Sequence, residues 1–427
     1  MTERLRIAVI GYGTAGQALA ILLTRDGHEV EIFERVPQPG PVGAGFLLQP
    51  SGLQVLWQMG LLDAVRAHAA PVHRLYGDTP CERAVMDMGY AGLDARLHGL
   101  GMQRGALFAL LEDAREGAGH LHVGTAIEAV DSAQGRVRDA QGRWHGPFDL
   151  VVAADGAAST LRGSVEGGIA LDRVYPWGAL WCLLPAEDWP HMQELRQRYV
   201  AARKMIGLLP VGTRPGDATP RLSFFWSLPR DDFERWQQDG MAPWLQELHA
   251  LWPQASARFT HLRDAGQLAR AVYRDAVMKR WHHGRLVLAG DAAHSMSPQL
   301  GQGVNMALID ALALRDALRS HRGEAALQAY QAQRRAHVAV YQRWSRWLTP
   351  LFQSNGDLWA HARDVLLGPM GRMPGGRGHM LRVLSGTQHG WFGALPLDPG
   401  FIAALAEAPR AAASNSVISA AVNVPVT

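Results

Sequence analysis

Near the start of the chain, the spacing of apolar residues predicts a strand, a helix and a second strand. Residues 5–10 are mostly apolar, as in a strand buried within a parallel sheet. From Ala15 to Leu23 the apolar residues recur on one face of a helix, and Gly27 lies where that helix would end. Residues 30–34 are the next strand-like run. The pattern therefore predicts a complete β-α-β unit in about 30 residues.

Further along the chain, the same two patterns alternate. Apolar runs predict two more buried strands, at residues 148–153 and 286–289. Helical spacing is found in three stretches, at residues 53–69, 105–115 and 303–320. Residues 36–52, which are rich in proline and glycine, are predicted to be a loop.

Residues 170–275 have a different character from the segments around them. Short apolar runs such as 205–209 and 222–226 are separated by proline, glycine and charged residues, which predicts an antiparallel sheet with a few helices. After about residue 325 the chain is predicted to be helical, and it ends in an alanine-rich tail.

The first strand leads directly into the sequence Gly11-Tyr12-Gly13-Thr14-Ala15-Gly16, which opens the first helix. In a G-x-G-x-x-G loop of this kind, the glycines allow a tight turn, a close approach to a pyrophosphate and close packing of helix and strand. The helix N-terminus offers unpaired N–H groups to the anion. Glu34, at the end of the second strand, could accept hydrogen bonds from a ribose. Arg35 could favour a 2′-phosphate or be a solvated surface charge. The loop thus predicts a dinucleotide site but does not choose between FAD and NAD.

Two further strand ends carry an acid followed by small residues. One is Asp155-Gly156, and the other is Gly290-Asp291. Both acids would lie at the carboxyl edge of a parallel sheet, where ligands bind in open α/β folds. Asp291 would suit a polyol hydroxyl such as the ribityl chain of a flavin. Gly301 and Gly303 precede a helix whose N-terminus would stabilise negative charge on a reduced flavin by roughly 0.3–2 kcal/mol.

These three segments, in this order, resemble the GxGxxG, DG and GD motifs of the FAD-dependent aromatic hydroxylases. This family, the class A single-component flavoprotein monooxygenases, includes p-hydroxybenzoate and salicylate hydroxylases. Gln103-Arg104 followed by Leu107 and Leu111 is similar to a fourth family segment, in which the arginine contacts FAD. The resemblance covers roughly residues 5–60, 100–165 and 280–320.

The resemblance implies an α/β fold with three parts. They are a discontinuous Rossmann-like FAD-binding domain of the glutathione-reductase type (1–70, 100–168 and 278–325), an interleaved substrate domain with an antiparallel sheet (71–99 and 169–277) and a helical C-terminal segment (326–427). It also implies a set of FAD-binding residues: Gly11, Gly13, Thr14, Ala15, Gly16, Glu34, Arg35, Arg104, Asp155, Gly290, Asp291, Pro298, Gly301, Gln302, Gly303, Val304 and Asn305. Asp155 would also serve NADPH or NADH, the transient co-substrate.

The activity implied by the resemblance is hydroxylation of a small aromatic or polycyclic substrate, with NAD(P)H and O2, through a flavin C4a-hydroperoxide. The substrate pocket is expected between the flavin and the sheet of residues 170–275, and Pro298 would lie beside both. Aromatic residues of that sheet could line the pocket: Trp177, Trp181, Phe224, Phe225 and Trp226. No residue is identified as a catalytic base, and His294 is interpreted as structural.

Three alternatives stay open at this point. An FAD-dependent dehydrogenase or reductase, or a halogenase-like flavoenzyme, would share the motifs without inserting oxygen, although the Trp-x-Trp-x-Ile-Pro signature of halogenases is missing from the sequence. Inactivation of an antibiotic by the same oxygen chemistry is a second possibility. A flavin-binding sensor without catalysis is a third.

Composition changes this interpretation little. The 427 residues are 48% hydrophobic and carry a net charge of +3, which gives no argument for nucleic acid. Cys81 and Cys182 form no metal-binding or disulfide pattern, and no metal site is expected. Neither a signal peptide nor a membrane span is predicted. We therefore expect a cytoplasmic monomer or homodimer.

Overall fold

The computed structural model describes residues 4–40, 43–115, 117, 119–260, 262, 264–356, 360, 363 and 375–407. Its strands, in chain order, are β1 (Arg6–Ile10), β2 (Glu29–Phe33), β3 (Gly45–Leu48), β4 (Ala70–Val72), β5 (Arg74–Asp78), β6 (Ala84–Gly89), β7 (Gly99–Gln103), β8 (His120–His122), β9 (Ile127–Asp131), β10 (Arg136–Asp139), β11 (Trp144–His145), β12 (Leu150–Ala153), β13 (Ile169–Pro185), β14 (Glu194–Val200), β15 (Lys204–Pro210), β16 (Arg221–Pro229), β17 (Ala269–Met278), β18 (His282–His283), β19 (Leu286–Leu288), β20 (Gln388–His389) and β21 (Gly393–Ala394).

The α-helices of the described residues, in the same order, are α1 (Thr14–Arg25), α2 (Pro50–Gln58), α3 (Leu62–His68), α4 (Arg104–Ala114), α5 (Phe233–Asp239), α6 (Met241–Leu251), α7 (Pro253–Ser256), α8 (Asp291–His294), α9 (Gly303–Ser320), α10 (Gly323–Phe352), α11 (Gly376–Leu384) and α12 (Pro399–Ala406).

The first large sheet is built from the continuous apolar runs of the sequence. Its order is β18-β19-β12-β1-β2-β8, with every pair parallel except β18 with β19. In the centre, Ile7 lies between Val30 and Leu150. The core residues of β1, β12 and β19 are buried because helices cover the sheet, which is the usual environment of an all-apolar parallel strand. The predicted α/β fold is confirmed.

The second large sheet has seven strands in the order β17-β13-β16-β15-β14-β5-β6. Its neighbours are antiparallel except β14 with β5. The antiparallel sheet expected in residues 170–275 is thus present, and residues 74–89 add two strands to it. The division into domains at the boundaries given above stays a prediction.

The two faces of this sheet have different neighbours. The outer face packs on α5, α6 and α7, whereas the inner face looks towards the parallel sheet and the end of α10. At the inner face β3 approaches closely, because a Cβ on Gly45 would lie 2.6 Å from Val211 Cγ1 and 3.0 Å from Ser223 Cβ.

Some local predictions were wrong. Residues 36–52 are not only loop, because Gly45–Leu48 forms β3 by pairing with the distant strand β7. Residues 53–69 form parts of two helices separated near Gly60, whose φ of +73° suits glycine. The C-terminal segment contains the hairpin β20–β21 as well as helices. The alanine-rich tail lies outside the described residues.

Candidate functional site

The glycine loop after β1 has the shape that a pyrophosphate needs. Gly11 has a φ of +101°, and a Cβ there would lie 2.4 Å from the carbonyl oxygen of Ala154. A Cβ on Gly16 would lie 2.0 Å from the carbonyl oxygen of Gly11, so helix and loop can touch only without side chains. Gly13 is different: a Cβ there would meet nothing within 4 Å. The loop therefore leaves open space where an anion could approach the start of α1.

Glu34 is held at the edge of this loop. Its carboxylate accepts hydrogen bonds from the backbone N–H groups of Tyr12 and Val36, each at 2.9 Å. Arg35 is exposed. Thr14 is half-buried at the first position of α1, and Ala15 is buried. The geometry thus places Glu34, but not Arg35, in the ordered wall of the loop.

In the segment after β12, one carboxyl oxygen of Asp155 lacks a partner within the described part of the chain. Among the described residues, no hydrogen-bond donor meets the buried Oδ1 of Asp155, and desolvation raises the pKa of this group. The nearby Arg162 is buried and donates to the carbonyl oxygens of Ala292 at 2.9 Å and Asp291 at 3.1 Å. It also pairs with Asp172 at 3.0 Å. One buried arginine thus ties the Asp155 segment to the Asp291 segment.

Asp291 lies at the exposed end of the third segment. The preceding Gly290 has a φ of +61°, and its N–H donates to Asp310 at 2.7 Å. A Cβ on Gly303 would lie 3.8 Å from Asp291 Oδ1. The carboxylate therefore stands in front of the N-terminus of α9 and is free to accept hydrogen bonds from a polyol.

The residues that lead into α9 divide into two groups. Pro298 is half-buried, and Gly301 adopts the left-handed conformation with a φ of +61°. Gln302 and Asn305 are buried: Gln302 donates to the carbonyl oxygen of Leu384 at 2.8 Å, and Asn305 accepts from the backbone of Gln49 at 2.9 Å.

Both residues were predicted to bind the cofactor, and this stays a prediction. Each side chain already bonds to a neighbouring backbone segment, although Gln302 Oε1 has no partner among the described residues. Gly303 is exposed and Val304 is half-buried at the start of the helix.

Arg104 reaches the same space from the start of α4. Its guanidinium carbon lies 5.5 Å from the centre of the Phe46 ring. The side chain is exposed to solvent on one side and has protein atoms on the others. Partial desolvation lowers the pKa of Arg104, and the negative charge of Asp291 opposes that effect. Tyr273 is also close enough to act on it electrostatically. Arg104 is thus a cation at the junction of the parallel sheet and the seven-stranded sheet.

A buried polar chain lies behind the Gly290–Asp291 segment. His294 Nε2 is 2.6 Å from Asp310 Oδ2, and Arg334 Nε donates to Asp310 Oδ1 at 2.6 Å. Arg334 contacts His337, whose Nε2 lies 2.9 Å from the carbonyl oxygen of Gly386. Burial raises the pKa of Asp310, but His294 and Arg334 outweigh this and lower it overall. The chain supports the structural interpretation of His294.

The aromatic residues predicted to line the pocket lie on opposite faces of the seven-stranded sheet. Trp181 and Phe225 are on the inner face, with ring centres 5.1 Å apart. Phe224 and Trp226 are on the outer face, packed edge-on against Trp244 at 5.9 and 5.6 Å. For these two the prediction was wrong, because consecutive strand residues alternate between faces.

The inner face also carries Tyr273, which the sequence analysis did not identify. Trp181 Nε1 donates to the Tyr273 hydroxyl at 3.0 Å. Desolvation raises the pKa of Tyr273 to about 12, although Trp181 and Arg104 oppose it. Alternation along β17 could have placed Tyr273 on one face with Ala271, but nothing in the sequence predicts which face.

Trp177, another aromatic residue predicted to line the pocket, is buried on β13 and donates to the carbonyl oxygen of Arg203 at 3.4 Å.

Comparison with known proteins gives this arrangement its family. The profile of the FAD-binding domain family matches residues 4–345 of the chain. The chain belongs to this family. It is 30% identical to kynurenine 3-monooxygenase of Salinispora arenicola over 370 residues, which cover 79% of this chain and 78% of that protein. It is 29% identical to the FAD-dependent urate hydroxylase of Klebsiella oxytoca, with coverage of 77% and 86%.

A solved structure shows the same fold. An HpxO variant from Klebsiella pneumoniae in complex with FAD superposes with a TM-score of 0.74 at 22% identity, over 90% of this chain and 99% of that one. The resemblance to aromatic hydroxylases is confirmed, and the chain is an FAD-dependent monooxygenase.

The geometry of this flavoprotein fits FAD. The open space at Gly13, the unpartnered Asp155 Oδ1 and the exposed Asp291 are three separate features that a dinucleotide would complete. In the described part of the chain, no group of three or more histidine, cysteine or acidic residues could hold a metal ion. The helices within those ranges also include none with the length and hydropathy to cross a bilayer.

Proposed function

We propose that this monooxygenase hydroxylates a small aromatic compound that carries an oxygen or ring nitrogen able to accept a hydrogen bond. The observation that carries this proposal is the Trp181–Tyr273 pair on the inner face of the sheet, beside Arg104. The relatives named above act on kynurenine and urate, and a further one is a 6-hydroxynicotinate 3-monooxygenase from Pseudomonas fluorescens.

In this proposal the phenol of Tyr273 works as a donor. Its oxygen already accepts the hydrogen bond from Trp181, so its own proton is available to the substrate. With a pKa of about 12, Tyr273 stays protonated at neutral pH and cannot act as a base. A hydrogen bond to a phenolic oxygen or ring nitrogen would hold the ring in one orientation over the inner face.

The cofactor would be held by the residues described above. Gly11, Gly13 and the start of α1 would contact the pyrophosphate, and Glu34 the adenosine ribose. Asp291 would bind the ribityl chain, and the N-terminus of α9 would face the ring system. When bound and reduced by NADPH or NADH, FAD supplies the activation of O2 and the transfer of one oxygen atom.

Other side chains of the inner face would keep water out. Trp181 and Phe225 form an apolar part of the inner face, and a dry site favours productive oxygen transfer over loss of peroxide. We further propose that the enzyme acts in the cytoplasm as a monomer or homodimer. No residue is assigned as a catalytic base.

The test uses the purified flavoprotein, a panel of phenols and hydroxypyridines, and labelled dioxygen. We expect at least one ring with an acceptor atom to accelerate NADPH or NADH oxidation and to gain one labelled oxygen atom. The same ring without its acceptor should do neither. Product formation without label would instead favour the dehydrogenase alternative, and an unstimulated flavoprotein would favour the sensor.

A further inference from the structure

Among the described residues of the C-terminal segment, the exposed aromatic side chains gather in one place. The hairpin β20–β21 turns at Trp391 and Phe392, which are 53% and 97% exposed. Beside it, Trp347 of α10 is 60% exposed, and its ring centre lies 6.4 Å from that of Trp391. Arg343 places its guanidinium 5.3 Å from the centre of the Trp391 ring. We call these four residues the aromatic–arginine face.

The turn itself is entirely apolar. The four residues from Trp391 to Ala394 are all exposed, and none carries a charge. A turn on a globular protein is ordinarily polar, because it projects into water. Phe392, at the tip of this turn, is almost fully exposed, which indicates that the turn contacts surroundings less polar than water.

The helix beside the turn continues the same surface. Ala336, Arg343, Trp347 and Pro350 are exposed and follow one another at spacings that keep them on one side of α10. Residues 325–356 contain four arginines and no acid, and residues 375–397 contain two arginines and no acid. Arg334 and Arg346 pair with Asp310 and Asp275, whereas among the described residues the exposed Arg335 and Arg343 form no ion pair. Two uncompensated positive charges therefore lie on the exposed surface of α10, and one of them is beside the aromatic side chains.

We propose that the aromatic–arginine face docks on the surface of an anionic lipid bilayer. Tryptophan and phenylalanine partition into the interfacial region, where an apolar ring and a polar edge are both satisfied. Arginine beside them pairs with phosphate while its stem lies along the apolar layer. The turn from Trp391 to Ala394 inserts between the headgroups, and α10 lies on them, so the enzyme is a peripheral membrane protein.

A second copy of this chain fits the same face less well. A symmetric contact would bring Arg343 near its own equivalent, and the face offers no acid to pair with it. The lipid surface supplies the missing negative charge.

The test measures the binding of the full-length, FAD-loaded protein to vesicles. Sedimentation with vesicles of phosphatidylcholine plus one quarter phosphatidylglycerol should pull the protein down, and vesicles of phosphatidylcholine alone should do so much less. The double variant Trp391→Ser/Phe392→Ser should lower the partition coefficient about tenfold or more. Arg343→Gln should lower it about fivefold, and added salt should weaken binding of the wild type more than that of this variant.

The control is Trp144→Ser, which removes a tryptophan that is 47% exposed on the small sheet of β9–β11. It should bind vesicles like the wild type. The double variant should keep the melting temperature and NAD(P)H oxidation of the wild type, because its side chains face outwards.

Equal sedimentation of wild type and double variant with both vesicle types, or no sedimentation of either protein, would overturn the proposal. It would also be overturned by a wild-type dimer in light scattering that the double variant converts to a monomer, which would place the aromatic residues against another copy. A much lower melting temperature of the double variant would place them against the protein itself.

Discussion

The two faces of the seven-stranded sheet are formed by alternate residues of the same strands, yet they differ in chemistry. On the outer face, Phe224 and Trp226 pack against Trp244 in a layer of apolar side chains closed by α5, α6 and α7. On the inner face, Phe225 lies between Ser223 and Ser227 along β16, and β17 adds Tyr273.

The difference separates stability from recognition. The outer face is sealed by its own helices, so its residues contribute mainly through burial. The inner face meets β3, α10 and the residues proposed to hold FAD, so its polar atoms are placed where a ligand could use them. Substitutions on the two faces should therefore change different measured quantities.

The largest effect is expected from the outer face. Phe224 is fully buried, with Phe259 edge-on at 4.8 Å and Trp244 at 5.9 Å. Phe224→Ala should lower the free energy of unfolding by about 3–5 kcal/mol, because it leaves a cavity in a closed core. Urea unfolding of the FAD-loaded protein measures this change.

The milder variant Phe224→Leu guards against loss of folding in that experiment. It should fold and keep the KM of the wild type, since the side chain points away from the cleft. A raised KM in Phe224→Leu, at unchanged stability, would contradict the assignment of this residue to the outer face.

The assignment of faces shows what sequence patterns can and cannot predict. The glycine loop, Asp155 and Asp291 could be predicted because each follows an apolar run directly, and the ends of parallel strands converge at one edge. Residues 222–226, by contrast, are apolar at nearly every position. Alternation then divides them into two sets, but which set looks inwards depends on the packing of β3, which comes from far earlier in the chain.

The side chains of Gln302 and Asn305 illustrate a second limit. Their place at the start of α9 was predictable, but their partners are the backbones of Leu384 and Gln49, which are distant in sequence. The contact of Tyr273 was missed for the same reason, because its partner Trp181 belongs to another strand.

The next largest effect is expected at Tyr273 on the inner face. Tyr273→Phe removes the hydroxyl proposed to donate to the substrate. With the best substrate of the panel, kcat/KM should fall roughly tenfold to a hundredfold, or about 1.5–3 kcal/mol, if the accepting atom is charged. Stability should change far less. Trp181→Phe, which removes the donor to Tyr273 but keeps an aromatic ring, should have a smaller effect in the same assay.

The pH dependence of this variant distinguishes a donor from a base. Because the pKa of Tyr273 is raised from its ordinary value near 10 to about 12, its hydroxyl keeps its proton and can donate it in a hydrogen bond until the pH rises towards 12. The ratio of wild-type to Tyr273→Phe kcat/KM should thus stay constant from about pH 6 to 9. An inflection in that ratio would show that Tyr273 exchanges a proton during turnover.

A smaller effect is expected from the buried polar chain behind the Gly290–Asp291 segment, which should make the stability of the protein depend on acid pH. Burial and the nearby Arg334 hold the pKa of His337 well below its ordinary value. Below about pH 6.5 the unfolded chain binds a proton at this histidine that the folded state does not, so stability should fall with a slope that approaches about 1.4 kcal/mol per pH unit until the folded pKa is reached.

The control for this pH effect is His337→Gln, which can still donate to Gly386. Between about pH 6.5 and 5.5, its free energy of unfolding should fall by about 1 kcal/mol less than that of the wild type. Equal slopes for the two proteins would mean that His337 is protonated in the folded state.

The smallest effect separates two serines that share the inner face of β16. Both are fully buried, but Ser227 accepts from the backbone N–H of Met205 at 2.7 Å, whereas the Ser223 hydroxyl has no partner among the described residues. Ser227→Ala should therefore lower the free energy of unfolding by about 1 kcal/mol, and Ser223→Ala should leave it unchanged or raise it by up to about 1 kcal/mol. If both variants lose stability equally, Ser223 has a partner in the folded protein. If FAD binding weakens in Ser223→Ala alone, that partner belongs to the cofactor side of the inner face, which would extend the proposed site onto β16.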